Sequence, residues 1–371
     1  MRKVLALLVG GLLVAGLAIG GLAVPLCSYT QPESRYTNLG LALNYRFFDD
    51  QYRDNRGNIS AGSAALDFSS FFDSASYGYN STANLKISYN NGALGYSGIG
   101  SGSYQMYLKE SDLFGFGSLV LRASSAYKNL GLNAITGAGY GRFRDVTPLA
   151  KAMRIGEMLL GMKSISQPLP DQTLMAVAQE IGKRAEYEKL EQLVQKITEL
   201  IERTGLVTAG KLGAVEGLRI EEIVLAVGGE RLCGWDVRGG VGYEVLDPLG
   251  HAQDSLVFAG ANYAAAPAPN AQLLAKADFS SSFELLENYS LSAVVSYFHR
   301  AGPALSYTFS YNFLRLKQPA EPEVDSQAVD LKALFQVSGG WNVAAGLSLK
   351  WETGYEDWTK EFSITANYTI F

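Results

Sequence analysis

Histidine and cysteine are scarce: 371 residues carry two of each. Two cysteines exclude a disulfide framework and any cysteine-rich metal site. A basic excess is missing too; the formal net charge is −5, which leaves no electrostatic footprint for nucleic acid. No long apolar run follows Leu22. With 47% hydrophobic residues and a mean hydropathy of +0.04, the chain is far less apolar than a helical membrane protein. Nor is there a phosphate-binding glycine pattern in a strand–helix setting. Gly137-Ala-Gly-Tyr-Gly141 superficially resembles one, but it continues an alternating strand, where glycine lets a neighbouring strand or an inserted helix approach closely.

What is abundant is glycine (40), tyrosine (21) and phenylalanine (17), set in a period of two. The clearest stretch runs from Trp341 to Trp351. Trp341, Val343, Ala345, Leu347, Leu349 and Trp351 alternate with Asn342, Ala344, Gly346, Ser348 and Lys350. This is a strand with one apolar and one polar face. Ten steps of roughly 3.3 Å, tilted about 40°, rise roughly 25 Å, the height of the apolar band on a membrane barrel. Tryptophan suits both edges of such a band, because its ring is apolar and its N–H seeks water or headgroups.

The same alternation recurs along the chain. Before residue 147 it marks about six strands, through Leu39–Phe47, Ala64–Phe68, Leu85–Tyr89, Tyr104–Leu108, Gly117–Tyr127 and Leu130–Tyr140. Asn91–Ser103, rich in Gly, Ser and Tyr, reads as a loop. From Trp235 onward about eight more follow, of which Leu305–Phe313 and Phe362–Ile370 are the most regular. Between them, residues 147–229 switch to helical spacing. Thr147-Pro148 reads as a helix start with a capping hydroxyl. A second helix is expected from Asp171 to about Arg203, with Leu174, Val177, Ile181, Leu190, Leu193, Ile197 and Ile201 on one face, and a third, shorter one near Leu218–Val227. Residues 1–26 read as an export signal: Arg2-Lys3, the apolar run from Val4 to Leu22, then Gly21-Leu22-Ala23. An uncleaved anchor is the rival reading. Lipidation of Cys27 is disfavoured, since Leu26 stands where a small residue is needed.

A soluble sandwich also alternates. Strands of about ten to twelve residues exceed the usual five or six, and the polar faces are Ser, Thr, Asn and Gly with paired charges, and the chain ends on Phe371. On these features it resembles bacterial outer-membrane β-barrel proteins of the porin-like kind, with no one family picked out. The resemblance covers the chain outside the helical insert. It implies an all-β transmembrane antiparallel barrel of about 14 strands (roughly 12–16) with an α-helical insert. Residues 37–146 and 231–371 would form the barrel and 147–229 the insert. It also implies both termini in the periplasm, an outer-membrane lipid environment, and recognition of the last strand by the barrel assembly machinery. One departure stands out: Ile370, not Phe371, continues the apolar face. With six strands before it, the insert falls on the periplasmic side, where it plugs or gates the mouth, or meets a periplasmic protein or peptidoglycan.

For the chemistry, the polar faces carry both signs: Arg46, Asp67, Lys86, Asp236, Arg238, Glu244, Lys276, Asp278, Glu284, Asp330, Lys332, Lys350 and Glu352. These are the expected lumen-lining charges. They either brace the interior by pairing across strands or screen solutes at a constriction. Trp235, Tyr243, Tyr297, Trp341, Trp351 and Phe371 are the expected interface aromatics. His251 and His299 stand in no recognisable hydrolase arrangement, so no enzyme, cofactor or metal is expected. Cys27 and Cys233 either bond in an oxidising compartment or remain unpaired. Three functions follow in order: a channel or transporter for small solutes, a structural anchor with a partner-binding insert, and a lipid-modifying enzyme.

Overall fold

The computed structural model describes residues 25–30, 33–48, 59–90, 92–109, 111–226, 229–248, 250, 255–283, 287–302, 304–319, 321–337 and 341–368. The alternating stretches form fourteen strands, from 10 to 16 residues long. They are β1 (Glu33–Phe48), β2 (Ile59–Ser74), β3 (Tyr77–Asn90), β4 (Ala93–Tyr107), β5 (Leu113–Ser124), β6 (Gly131–Asp145) and β7 (Leu232–Leu246). After them come β8 (Ser255–Ala268), β9 (Ala271–Ser282), β10 (Tyr289–Arg300), β11 (Leu305–Lys317), β12 (Val324–Val337), β13 (Trp341–Glu352) and β14 (Thr359–Tyr368). Each pairs antiparallel with the next, giving one up-and-down sheet in strict chain order. Register keeps like with like: Leu347 of β13 lies between Leu331 of β12 and Phe362 of β14. β1 and β14 are the edges, and among the described residues no pairing joins them. The sheet curls, because residues of β2–β4 and of β6–β10 line one cavity.

Alternation therefore becomes two faces. The outer one carries Leu39, Leu41, Leu43, Leu85, Ile87, Leu119, Val237, Val241, Phe362 and Ile364, all exposed, Leu43 to 74%. The inner one carries the polar and small positions. Two parts of the strand reading change here. Asn91–Ser103 is no loop: β4 begins at Ala93 and pairs throughout with β3, then with β5. Cross-strand bonding overrides the low strand propensity of glycine and serine. In β7 the register slips, so Asn133 faces Glu244 while Leu132 faces Leu246. This bulge shifts the phase by one residue and puts Leu246, in place of Val245, on the exposed apolar face.

Between β6 and β7 lie four helices: α1 (Thr147–Gly161), α2 (Asp171–Gly182), α3 (Leu190–Glu202) and α4 (Ala214–Leu225). The single long helix expected from Asp171 to Arg203 is two, broken by a short 3-10 turn at Arg184–Glu186. The apolar stripe lapses between Ile181 and Leu190, and Gly182 weakens the helix there. The break lets α3 fold back, so that Leu193, Ile197 and Ile201 are buried with Leu149, Ile155, Leu159, Val177, Ile220 and Val224. The four helices thus share one core. At its start the capping assignment also changes: the Asp145 carboxylate accepts the Thr147 N–H at 2.8 Å, and the Thr147 hydroxyl accepts the Arg231 N–H at 2.8 Å. That second bond clamps the two ends of the insert together.

The N-terminal segment joins this core. Leu26, at the end of the segment read as a leader, and Tyr29 are both buried in it, and the Tyr29 hydroxyl donates to the Ala178 carbonyl at 3.2 Å. Burial pushes that phenol well above its usual range. Cys27 is bonded to Cys233 at the start of β7, which realises the first of the two cysteine alternatives.

Candidate functional site

The inner face is built by one residue in two from each strand. β7 brings Asp236 and Arg238 inward, β8 brings Asn262, and β9 brings Lys276 and Asp278. Register sets them side by side: Asp236 faces Asn262, and Asn262 faces Lys276. The Asn262 amide donates to Asp236 at 2.8 Å. Lys276 lies 2.8 Å from Asp278, and Arg238 lies 3.9 Å from the same carboxylate. The Arg238 guanidinium also stands 5.5 Å from the Phe258 ring centre. So the structure brings together four of the expected lumen charges, from β7 and β9 across β8.

The others are dispersed. Asp67 of β2 takes a hydrogen bond from Asn84, while Lys86 is exposed. Asp330 accepts from the Ser310 hydroxyl at 3.5 Å. Lys332, Lys350 and Glu352 are exposed, and among the described residues no ion pair links these three and Asp330 to one another. Glu244 sits at the bulge. Glu284, His251 and Phe371 lie outside the described residues, as do the side chains of Arg46 and Trp341. Among the aromatics, Trp235 and Tyr243 are exposed on the outer face. Trp351 is half-buried and donates its indole N–H to the Tyr355 carbonyl at 3.1 Å. Tyr297 stacks on His299 at 6.3 Å.

Sequence reasoning missed what fills the space opposite. Phe114 and Phe116 point inward from β5 and are buried. With Tyr107 and Phe258 they form a chain of ring contacts at 5.7, 6.3 and 6.5 Å. A Cβ at Gly139 on β6 would collide with the Phe114 ring, so glycine there makes the groove into which the ring lies. At the Tyr107 end, the Arg142 guanidinium covers the phenol face at 3.7 Å. It also donates to the Ala75 carbonyl at 3.2 Å and lies 3.6 Å from Asp112. The signal was in the sequence: Phe114 and Phe116 alternate with Gly115 and Gly117, ahead of where that strand was taken to begin.

Beside this strip is a cavity of about 430 Å³. Its lining comes entirely from strands, and near the insert-side ends of most of them: Asp73, Gln105, Phe143, Asp236, Lys276 and Ser296 are among its walls. The insert meets the sheet elsewhere, at the ends of β7 and β8 through Cys233 and Ala266. There Arg231 is buried, donating to the carbonyls of Pro269 at 3.1 Å, Gly229 at 2.8 Å and Glu230 at 3.0 Å. Burial, with Arg154 and Arg300 nearby, brings its pKa down to about 10.

No family model matches this chain, and neither does any curated protein. Among solved structures it aligns with a "CymD monoaromatic hydrocarbon channel" at 12% identity, over 93% of this chain and 81% of that one. The TM-score is 0.23, so the alignment decides nothing about fold or solute.

Proposed function

We propose that the protein is an outer-membrane channel or transporter for small solutes, with the helical insert at its periplasmic mouth. The observation that carries this reading is the pairing of two surfaces on one sheet. The outer face exposes rows of Leu, Ile, Val and Phe across many strands. An apolar surface so extended belongs against lipid, not water. The inner face is charged and polar and holds a cavity. Fourteen is an even number, so β1 and β14 run antiparallel and can close the sheet into a barrel by pairing their edges. That the cavity walls are all strand residues supports an insert that covers the mouth over one that fills the lumen.

A second reading makes the barrel an anchor and the insert its working part, and the packed core shared by the insert's four helices favours it. Planar-bilayer conductance of the full chain, beside a chain lacking 147–229, separates the two. Conductance in the full chain supports the channel. Conductance only after deletion makes the insert a gate. Silence from both overturns the channel reading.

A further inference from the structure

The cavity has one buried acceptor with nothing to accept from. Asp73, near the end of β2, is 8% exposed, and its Oδ1 has no hydrogen-bond partner among the described residues. The same carboxylate lines the cavity. Leaving a buried carboxylate oxygen unbonded is costly, so such an atom marks a place where a donor from outside the chain is expected. The nearest cation does not fill the role. Arg142 covers the Tyr107 face, donates to the Ala75 carbonyl and lies 3.6 Å from Asp112, but gives no hydrogen bond to Asp73 Oδ1. On the opposite wall Lys276 lies 2.8 Å and Arg238 3.9 Å from Asp278, and the Arg238 Nε has no acceptor among the described residues. The second wall carboxylate, Asp236, is bonded to a neutral amide. The lining near Asp73 is mixed, with Asn80 and Gln105 beside the apolar Phe71, Phe143, Leu274 and Val294.

We propose that this cavity binds an organic ammonium ion, with its N–H donors on Asp73 Oδ1 and its apolar body among Phe71, Phe143 and Leu274. An ammonium group supplies three donors, and its charge strengthens a hydrogen bond to a buried carboxylate. Aromatic walls add favourable contact with both the cation and a ring-sized body. A cavity of about 430 Å³ falls in the range of small-molecule sites. A carboxylate ligand has no N–H to offer the Asp73 Oδ1 acceptor. This site deepens the channel reading by naming its solute class, and it rests on that reading only for its physiological purpose. Binding itself needs no conduction.

The test is calorimetry on the full-length protein in detergent micelles, with 2-phenylethylammonium, 3-phenylpropionate and methylammonium as probes. Saturable binding of 2-phenylethylammonium is expected, with the other two at least about tenfold weaker, the ratio that one charge-assisted hydrogen bond supplies. Asp73→Asn should weaken the first probe by about tenfold or more. Leu274→Trp, which leaves Asp73 in place and fills the cavity, should abolish binding. It decides the matter should the asparagine variant fail to fold. Equal binding of 3-phenylpropionate overturns the charge assignment, and equal binding of methylammonium overturns the apolar part. Unchanged affinity in a folded variant overturns the site. Conductance is read separately: a conducting protein that ignores 2-phenylethylammonium retains the channel and loses the site, and a silent protein that binds it does the reverse.

Discussion

Phe114 and Gly139 form a lock whose two parts sit on neighbouring strands. Glycine contributes by lacking a side chain, and the ring covers the backbone that glycine leaves bare. Gly139→Val should therefore displace Phe114 and destabilise the fold by about 1–3 kcal/mol, the usual cost of overpacking. A urea midpoint equal to that of the parent protein would contradict the lock. This contact also shows what single residues reveal in advance. The charges on β7 and β9 were legible because alternation assigns a face to every residue of a recognised strand. Asp73 was not, because it lies beyond the alternating stretch Ala64–Phe68 that marks that strand in the sequence. Nor does alternation say which inward residues meet across the interior: nothing in sequence spacing brings Tyr107, Phe114 and Phe258 together.

The strands were legible as elements, and the β4 error is instructive. Small residues carry little pattern, so a Gly/Ser-rich strand is defined by its partners and not by itself. The helices were legible by period, but the break after Gly182 is set by the fold-back of α3 onto α2 and α4. The start of α4 depends on Glu216. Its carboxylate accepts the Gly213 N–H at 3.0 Å and the Ser164 hydroxyl at 2.8 Å. Its own backbone N–H first, then Ser164 and Gly213, hold its pKa below the ordinary 4.5. A depressed carboxylate pKa contributes stability that is present above the unfolded value and lost as pH falls through the folded one. The insert's helical circular-dichroism melt should thus shift down as pH drops below the ordinary glutamate range. In Glu216→Gln the melt at neutral pH should be lower and that acid-dependent part smaller. Identical acid sensitivity in the two proteins would remove Glu216 from the account. The disulfide gives a further test of this element. A protease site introduced at the exposed turn of Gly205, whose φ of +72° suits glycine, lies between Cys27 and Cys233. After cleavage the two fragments should run as one band without reductant and as two with it. Two bands without reductant would mean that the bond is absent.

At the scale of the whole molecule, links at the insert end other than the insert are short, such as 75–76 and 269–270, whereas the opposite end carries links such as 49–58 and 247–254. This asymmetry is the one expected of an outer-membrane barrel whose insert faces inward. A cysteine-reactive, membrane-impermeant label at Gly205→Cys should then fail to react on intact cells and react once the outer membrane is opened. Labelling of intact cells would invert the topology. The Cys27–Cys233 bond has a consequence for how such a protein is made. Both sulfurs lie N-terminal to β8, so export of the chain N-terminus first, as the proposed location requires, would deliver them while seven strands are still to come. Oxidation at that moment ties six strands and the insert into a closed ring before the second half arrives.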